Sequence, residues 1–229
     1  MAKTSSLAPS GSIYVLAGCN GAGKSSIGGA ALRHSGGEFF NPDEAALRIA
    51  AANTTRNPPL KQAQRNGAAW NQGRRLLQRA IDERADFAFE TTLGGKTITA
   101  MLEQATRSGL AVQVWFVGLT DVALHIARVR QRVAKGGHDI PAKKIKERFE
   151  NGRVNLIRLM PQLTELHVYD NSAEADPHSG AVPVPRRLLH VRGRRIVAPS
   201  HLKTVLKATP AWAKPIAAAA LKLHLSQRG

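Results

Sequence analysis

Short apolar runs alternate with segments of helical periodicity along the first 170 residues. Ile13-Tyr14-Val15-Leu16-Ala17, Phe39-Phe40, Phe87-Ala88-Phe89, Ala111 to Val117 and Leu166-His167-Val168-Tyr169 read as strands. Between them, helices are expected from near Lys24, after Asp43, over Lys61–Arg84, over Lys96–Arg107, over Val122–Val133 and from Pro141 to about Leu159. In Lys61–Arg84 the apolar stripe is Ala69, Leu76, Leu77, Ala80 and Ile81. Pro42 is expected to stop the second strand, with Asp43 as the N-cap of the next helix. Ala111–Val117 contains no charge, which predicts burial on both faces, as in a parallel sheet covered by helices. Strands alternating with helices predict an α/β fold with a mainly parallel sheet in a three-layer α/β/α arrangement.

The pattern changes at both ends. Residues 1–11 are small and polar and read as a flexible tail. Residues 171–185 are rich in Pro, Gly and Ser, so the α/β core is expected to occupy 12–172 and a basic C-terminal extension 173–229. Within that extension Arg187–Val191 and Arg195–Ala198 flank Gly193 as a β-hairpin, and Trp212–Leu225 reads as a capping helix. No internal repeat is present.

Composition narrows the function classes. The 229 residues are 43% hydrophobic, enough for a sizeable core. One cysteine cannot form an intrachain disulfide or a Cys-based zinc site. No apolar run reaches the roughly 20 residues of a membrane span, and none near the N-terminus suits a signal peptide, so a cytoplasmic location is expected. The formal net charge is +17. It is uneven: residues 1–127 carry 13 Lys/Arg and 9 Asp/Glu, 128–170 carry 10 and 5, and 171–229 carry 10 and 2. The excess therefore lies outside the first strand–helix units and points to polyanionic partners.

Gly18-Cys19-Asn20-Gly21-Ala22-Gly23-Lys24-Ser25 fits the phosphate-binding pattern G-x-x-x-x-G-K-[ST], with an apolar strand before it and a helix after. Gly18, Asn20, Gly21, Ala22, Gly23, Lys24, Ser25 and Ser26 are expected to hold ATP through backbone N–H groups and the helix N-terminus. Lys24 should reach the β- and γ-phosphates, and Ser25 should bind Mg²⁺. Cys19 reads as neutral filler.

A hydroxyl acceptor requires a base. Asp43 follows the second apolar run, where ligands of a parallel sheet bind, although helix capping is its alternative role. Glu90, with Thr91 and Thr92, stands at the end of the third strand, to bind acceptor hydroxyls, to hold the water shell of Mg²⁺, or to cap the next helix. Asp121 most simply caps its helix. Arg128, Arg130, Arg132 and Lys135 crowd a helix end before Gly136-Gly137, with Arg148 on the following helix. They form either a lid over the transferring phosphoryl group or a solvated basic face.

Together GCNGAGKS, FFNPDE, FAFETTLGG, the basic helix into GGHDIP, and YDNS at Tyr169–Ser172 resemble the zeta toxin family of P-loop kinases. The resemblance spans residues 13–172 and implies phosphorylation of the 3′-hydroxyl of the amino sugar in UDP-N-acetylglucosamine, using ATP and Mg²⁺. It implies Asp43 as base, Glu90 as acceptor ligand, Arg132 and Arg148 as lid arginines with Arg128 in reserve, and Asn171 near the adenine. The family's better-known toxins carry further helical surface that docks an antitoxin. This chain is compact and similar to a shorter bacterial subgroup, whose motifs do not fix the acceptor.

Three readings follow. The first is a kinase of a hydroxyl-bearing, anionic nucleotide sugar. The second keeps the kinase and takes a nucleoside, dinucleotide or polynucleotide end as acceptor. The third is a nucleic-acid-binding P-loop switch acting through the basic extension. Against the third, aromatic residues are only 5% of the chain, few for base stacking.

Overall fold

The computed structural model describes residues 11–24, 27, 39–53, 58–137, 139–174, 180–181 and 184–227. Seven strands form one sheet: β1 Ser12–Ala17, β2 Phe39–Phe40, β3 Phe87–Thr91, β4 Ala111–Gly118, β5 Glu165–Asp170, β6 Arg186–Arg192 and β7 Arg195–Ala198. Their order is β2-β3-β1-β4-β5-β6-β7. The first five are parallel; β6 and β7 run antiparallel. The helices are α1 Pro42–Ala52, α2 Gln62–Glu83, α3 Lys96–Arg107, α4 Val122–Ala134, α5 Ala142–Leu159, α6 Val205–Ala208 and α7 Lys214–Leu225. Among the described residues no helix is long and apolar enough to cross a membrane.

The alternation of strand residues decides which face holds the core. Ile13, Val15 and Ala17 of β1 and Val112, Val114 and Phe116 of β4 are buried in the main cluster with Leu77 and Ile81 of α2, Leu102 of α3, and Leu156 and Leu159 of α5. Full burial of each such side chain contributes roughly 1.5–3 kcal/mol. The expectation that β4 is buried on both faces needs correction in its first half. Ala111, Gln113 and Trp115 are only partly buried, because this face of the sheet carries large amphipathic rings. There Trp115 stacks on His167 at 5.3 Å between ring centroids.

Local signals set the helix ends. Asn41, not Asp43, caps α1: its side-chain oxygen accepts a hydrogen bond from Asp43 N at 2.9 Å, and Pro42 occupies the first turn. Pro42 therefore starts the helix as much as it ends the strand. Asp121 caps α4 by accepting from Leu124 N at 2.8 Å.

The basic residues after 172 join the same sheet and core. β6 pairs with β5, and Trp212 and Ile216 lie in the main cluster. Trp212 Nε1 donates to Asp170 Oδ2 at 3.3 Å, and Arg153 donates to the Trp212 carbonyl at 3.2 Å. The indole lies so close to Gly118 that an added Cβ would sit 2.3 Å from its ring. Gly118→Ala is accordingly expected to lower unfolding stability by about 1–3 kcal/mol in urea titrations.

Candidate active site

The carboxyl ends of β1, β2, β3 and β4 carry the candidate residues to one rim of the sheet. β1 runs directly into the phosphate loop. Gly18 has φ +144°, and a Cβ there would stand 2.2 Å from the Val117 carbonyl oxygen. Gly21 has φ +79°, and a Cβ there would stand 2.7 Å from the His125 carbonyl oxygen. Both positions combine a left-handed backbone with close packing, so the sequence motif meets a real steric demand.

Lys24 is 7% exposed. Its Nζ donates to the carbonyls of Gly18 at 2.9 Å and Cys19 at 3.3 Å, and pairs with Glu90 Oε1 at 3.3 Å. Glu90 is thus a carboxylate beside the phosphate lysine. The cap of α3 is Gly95, which makes no side-chain bond, so Glu90 has no capping role. Thr91 and Thr92 use their hydroxyl oxygens locally, accepting from the backbone N–H groups of Leu93 and Gly94 at 3.0 and 3.4 Å. Asn155 holds that loop from outside by donating to the Leu93 carbonyl at 2.8 Å.

With Asn41 as cap, the Asp43 side chain faces Arg132, whose Nη1 lies 3.4 Å from Asp43 Oδ2. Arg148 donates to Asn20 Oδ1 at 2.8 Å, tying α5 to the phosphate loop. Arg128 donates to the backbone oxygens of Asn171 at 2.9 Å and Ala173 at 3.3 Å. Asn171 in turn donates to the Ala22 carbonyl at 2.9 Å. The segment after β5 is thereby fastened to the phosphate loop on one side and to α4 on the other. Arg128, Gln131, Arg132, Lys135, Gly136 and Gly137 line an open groove of about 520 Å³ with three cations and no carboxylate among its lining residues. Such a groove suits an anionic ligand. Ser25, Ser26 and His138 lie outside the described residues.

Two side chains touching the loop differ in what the sequence revealed. Cys19 is filler, as expected: it is 4% exposed, and burial pushes its thiol up to about 11, against the smaller effect of Lys24. His125 was not singled out. It is 0% exposed, its Nδ1 lies 2.8 Å from the Asn20 carbonyl, and its ring meets Phe149 edge-on at 5.4 Å. Nδ1 therefore carries the proton, and the neutral ring pins the middle of the phosphate loop.

Burial lowers His125 to about 4, outweighing the hydrogen bond to Asn20 that raises it. Below about pH 6.5 the unfolded chain takes up a proton that the native ring does not. This contribution is complete above about pH 6.5 and is lost as pH falls towards 4, amounting to roughly 3 kcal/mol. Urea midpoints are expected to fall over this window more steeply than those of His125→Gln.

Comparison with known proteins places this arrangement. A family profile described as Zeta toxin matches residues 3–180. The chain belongs to the zeta toxin family. It is a P-loop kinase, a phosphotransferase that binds a nucleotide. An uncharacterized protein of Haemophilus influenzae is 28% identical over 137 residues, covering 58% of this chain and 88% of the relative. The AvrRxo1-ORF1:AvrRxo1-ORF2 complex shares the fold in its crystal structure with sulphate ions, at TM-score 0.62, and in that with ATP, at 0.59. Both match at 15% identity over 94% of this chain and 76% of the other. The structure from the PezAT chromosomal toxin–antitoxin system of Streptococcus pneumoniae matches at TM-score 0.56 and 12% identity, over 98% of this chain and 90% of the other.

Proposed function

We propose that this zeta toxin family kinase transfers the γ-phosphoryl group of ATP to a hydroxyl of a nucleotide sugar such as UDP-N-acetylglucosamine. The observation that carries the reading is the pair of carboxylates at the sheet rim. Glu90 is held against the phosphate lysine at 3.3 Å, and Asp43 is freed from capping and held by Arg132 at 3.4 Å. The basic groove along α4 supports an acceptor with phosphates of its own.

In this reading Asp43 takes the proton of the acceptor hydroxyl as its oxygen bonds to the γ-phosphorus and the bond to the bridging oxygen of ADP breaks. Glu90 orients the acceptor. Lys24, Arg132 and Arg148 carry the positive charge that matches the transferring group. Arg128 and Asn171 shape the nucleotide side by holding residues 171–173 against the loop. Mg²⁺, when bound, neutralises phosphate charge. The Glu90 carboxylate beside Lys24 is a hard oxygen donor of the kind it prefers, and in the sequence Ser25 follows Lys24 directly. The two-protein systems among the structural relatives support an antitoxin partner within the same reading.

The test is a panel of acceptors with ATP and Mg²⁺: UDP-N-acetylglucosamine, nucleosides, dinucleotides and 5′-hydroxyl oligonucleotides. UDP-N-acetylglucosamine is expected to exceed the others in kcat/KM, with the new phosphate located by ³¹P NMR. Preference for a polynucleotide end would move the assignment to the basic edge, where Arg186, Arg187, Arg192, Arg194 and Arg195 are all exposed.

A further inference from the structure

The partly buried face of the sheet holds a second cluster away from the phosphate loop. Glu165 and His167 are two residues apart on β5 and so project from the same face, and His190 lies directly across from His167 on β6. Glu165 Oε1 is 2.6 Å from His190 Nε2 and 3.2 Å from His167 Nε2. The two imidazoles stack at 4.2 Å with 16° between their planes, and Trp115 covers the other face of His167. The backbone register thus gathers three donor atoms within 4.8 Å of one another, and a tilt of the two near-parallel rings about their side-chain torsions brings both nitrogen lone pairs onto one ion.

We infer that Glu165, His167 and His190 form a binding site for a divalent transition metal, zinc foremost, separate from the Mg²⁺-ATP chemistry. Two imidazole nitrogens and one carboxylate oxygen are a donor set that borderline metals take and magnesium does not. Zinc bonds of about 2.0–2.1 Å put neighbouring donors of a tetrahedral site roughly 3.3 Å apart. The 3.2 Å pair already has this spacing, and the 2.6 Å pair reaches it by opening about 0.7 Å, within the reach of side-chain rotation. Arg192 also reaches Glu165 Oε1, at 3.0 Å, and competes for that oxygen. Its side chain is 65% exposed and has room to swing into solvent. Bound metal would clamp β6, the first strand of the basic hairpin, onto β5.

The test uses full-length protein freed of metal by chelation and titrated with Co²⁺ and then Zn²⁺. One equivalent of Co²⁺ is expected to give the intense visible absorption of a tetrahedral site, and Zn²⁺ should abolish it. Zn²⁺ at a hundred-fold excess over its Kd should raise Tm by about 5–10 °C, and Mg²⁺ should not. Glu165→Gln, His167→Gln and His190→Gln should each weaken binding by about 100-fold or more. Arg192→Ala, which removes no donor, should tighten it about five-fold. Absence of stoichiometric Co²⁺ binding by the unaltered protein, or binding that persists in all three ligand variants, would overturn the site.

Discussion

Asp43→Asn is expected to keep nucleotide affinity and to lose about 10²–10⁴-fold in phosphoryl transfer. Asparagine matches aspartate in size and can still accept a hydrogen bond from Arg132, but it cannot take up a hydroxyl proton. The cap of α1 is Asn41, so the substitution leaves the helix start intact. The phosphate loop makes its own contacts through Gly18, Cys19, Lys24 and Glu90. Calorimetric titration with a non-hydrolysable ATP analogue and single-turnover transfer on the same preparation separate the two effects. Turnover equal to that of the unaltered protein would remove Asp43 as the base.

Lys24→Met should cost about 10²–10³-fold in kcat and weaken nucleotide binding as well, because in the proposed reaction it removes the cation that meets the phosphates. It also leaves the Glu90 carboxylate, whose side chain is 18% exposed, without the Lys24 ammonium. The variant Lys24→Met/Glu90→Gln distinguishes these consequences. If Lys24 served only to balance Glu90, the double variant would recover transfer. The phosphate role predicts that it recovers thermal stability and not activity.

The placement of much of the candidate site was legible in the sequence for a physical reason: the loop is built from contiguous residues. The turn from β1 into the phosphate loop needs glycine where φ is positive, and Lys24 must follow the turn directly. Glu90 and Asp43 were legible because parallel strands deliver their carboxyl ends to one rim. Capping was misassigned to Asp43 because Asn41 and Asp43 are both good caps and only the backbone turn at Pro42 chooses between them.

Contacts between distant segments were not legible. His125 touches Asn20 across 105 positions of chain, and nothing on α4 distinguishes it from an ordinary core histidine. Arg128 read as part of a lid or of a solvated basic face, yet two of its donors hold the backbone of residues 171 and 173. Charge and a stretch rich in Pro, Gly and Ser set residues 173–229 apart in the sequence. Their apolar positions, above all Trp212, bind them into the same core.

The proposed reaction is phosphorylation of a nucleotide sugar with Asp43 as the base. The most direct measurement is metabolite profiling of bacterial extract incubated with ATP, Mg²⁺ and either the unaltered protein or Asp43→Asn. A new phosphorylated UDP-amino sugar is expected, formed at the expense of its parent, with the unaltered protein alone. A phosphorylated product of another class, or the same product from Asp43→Asn at an equal rate, would contradict it.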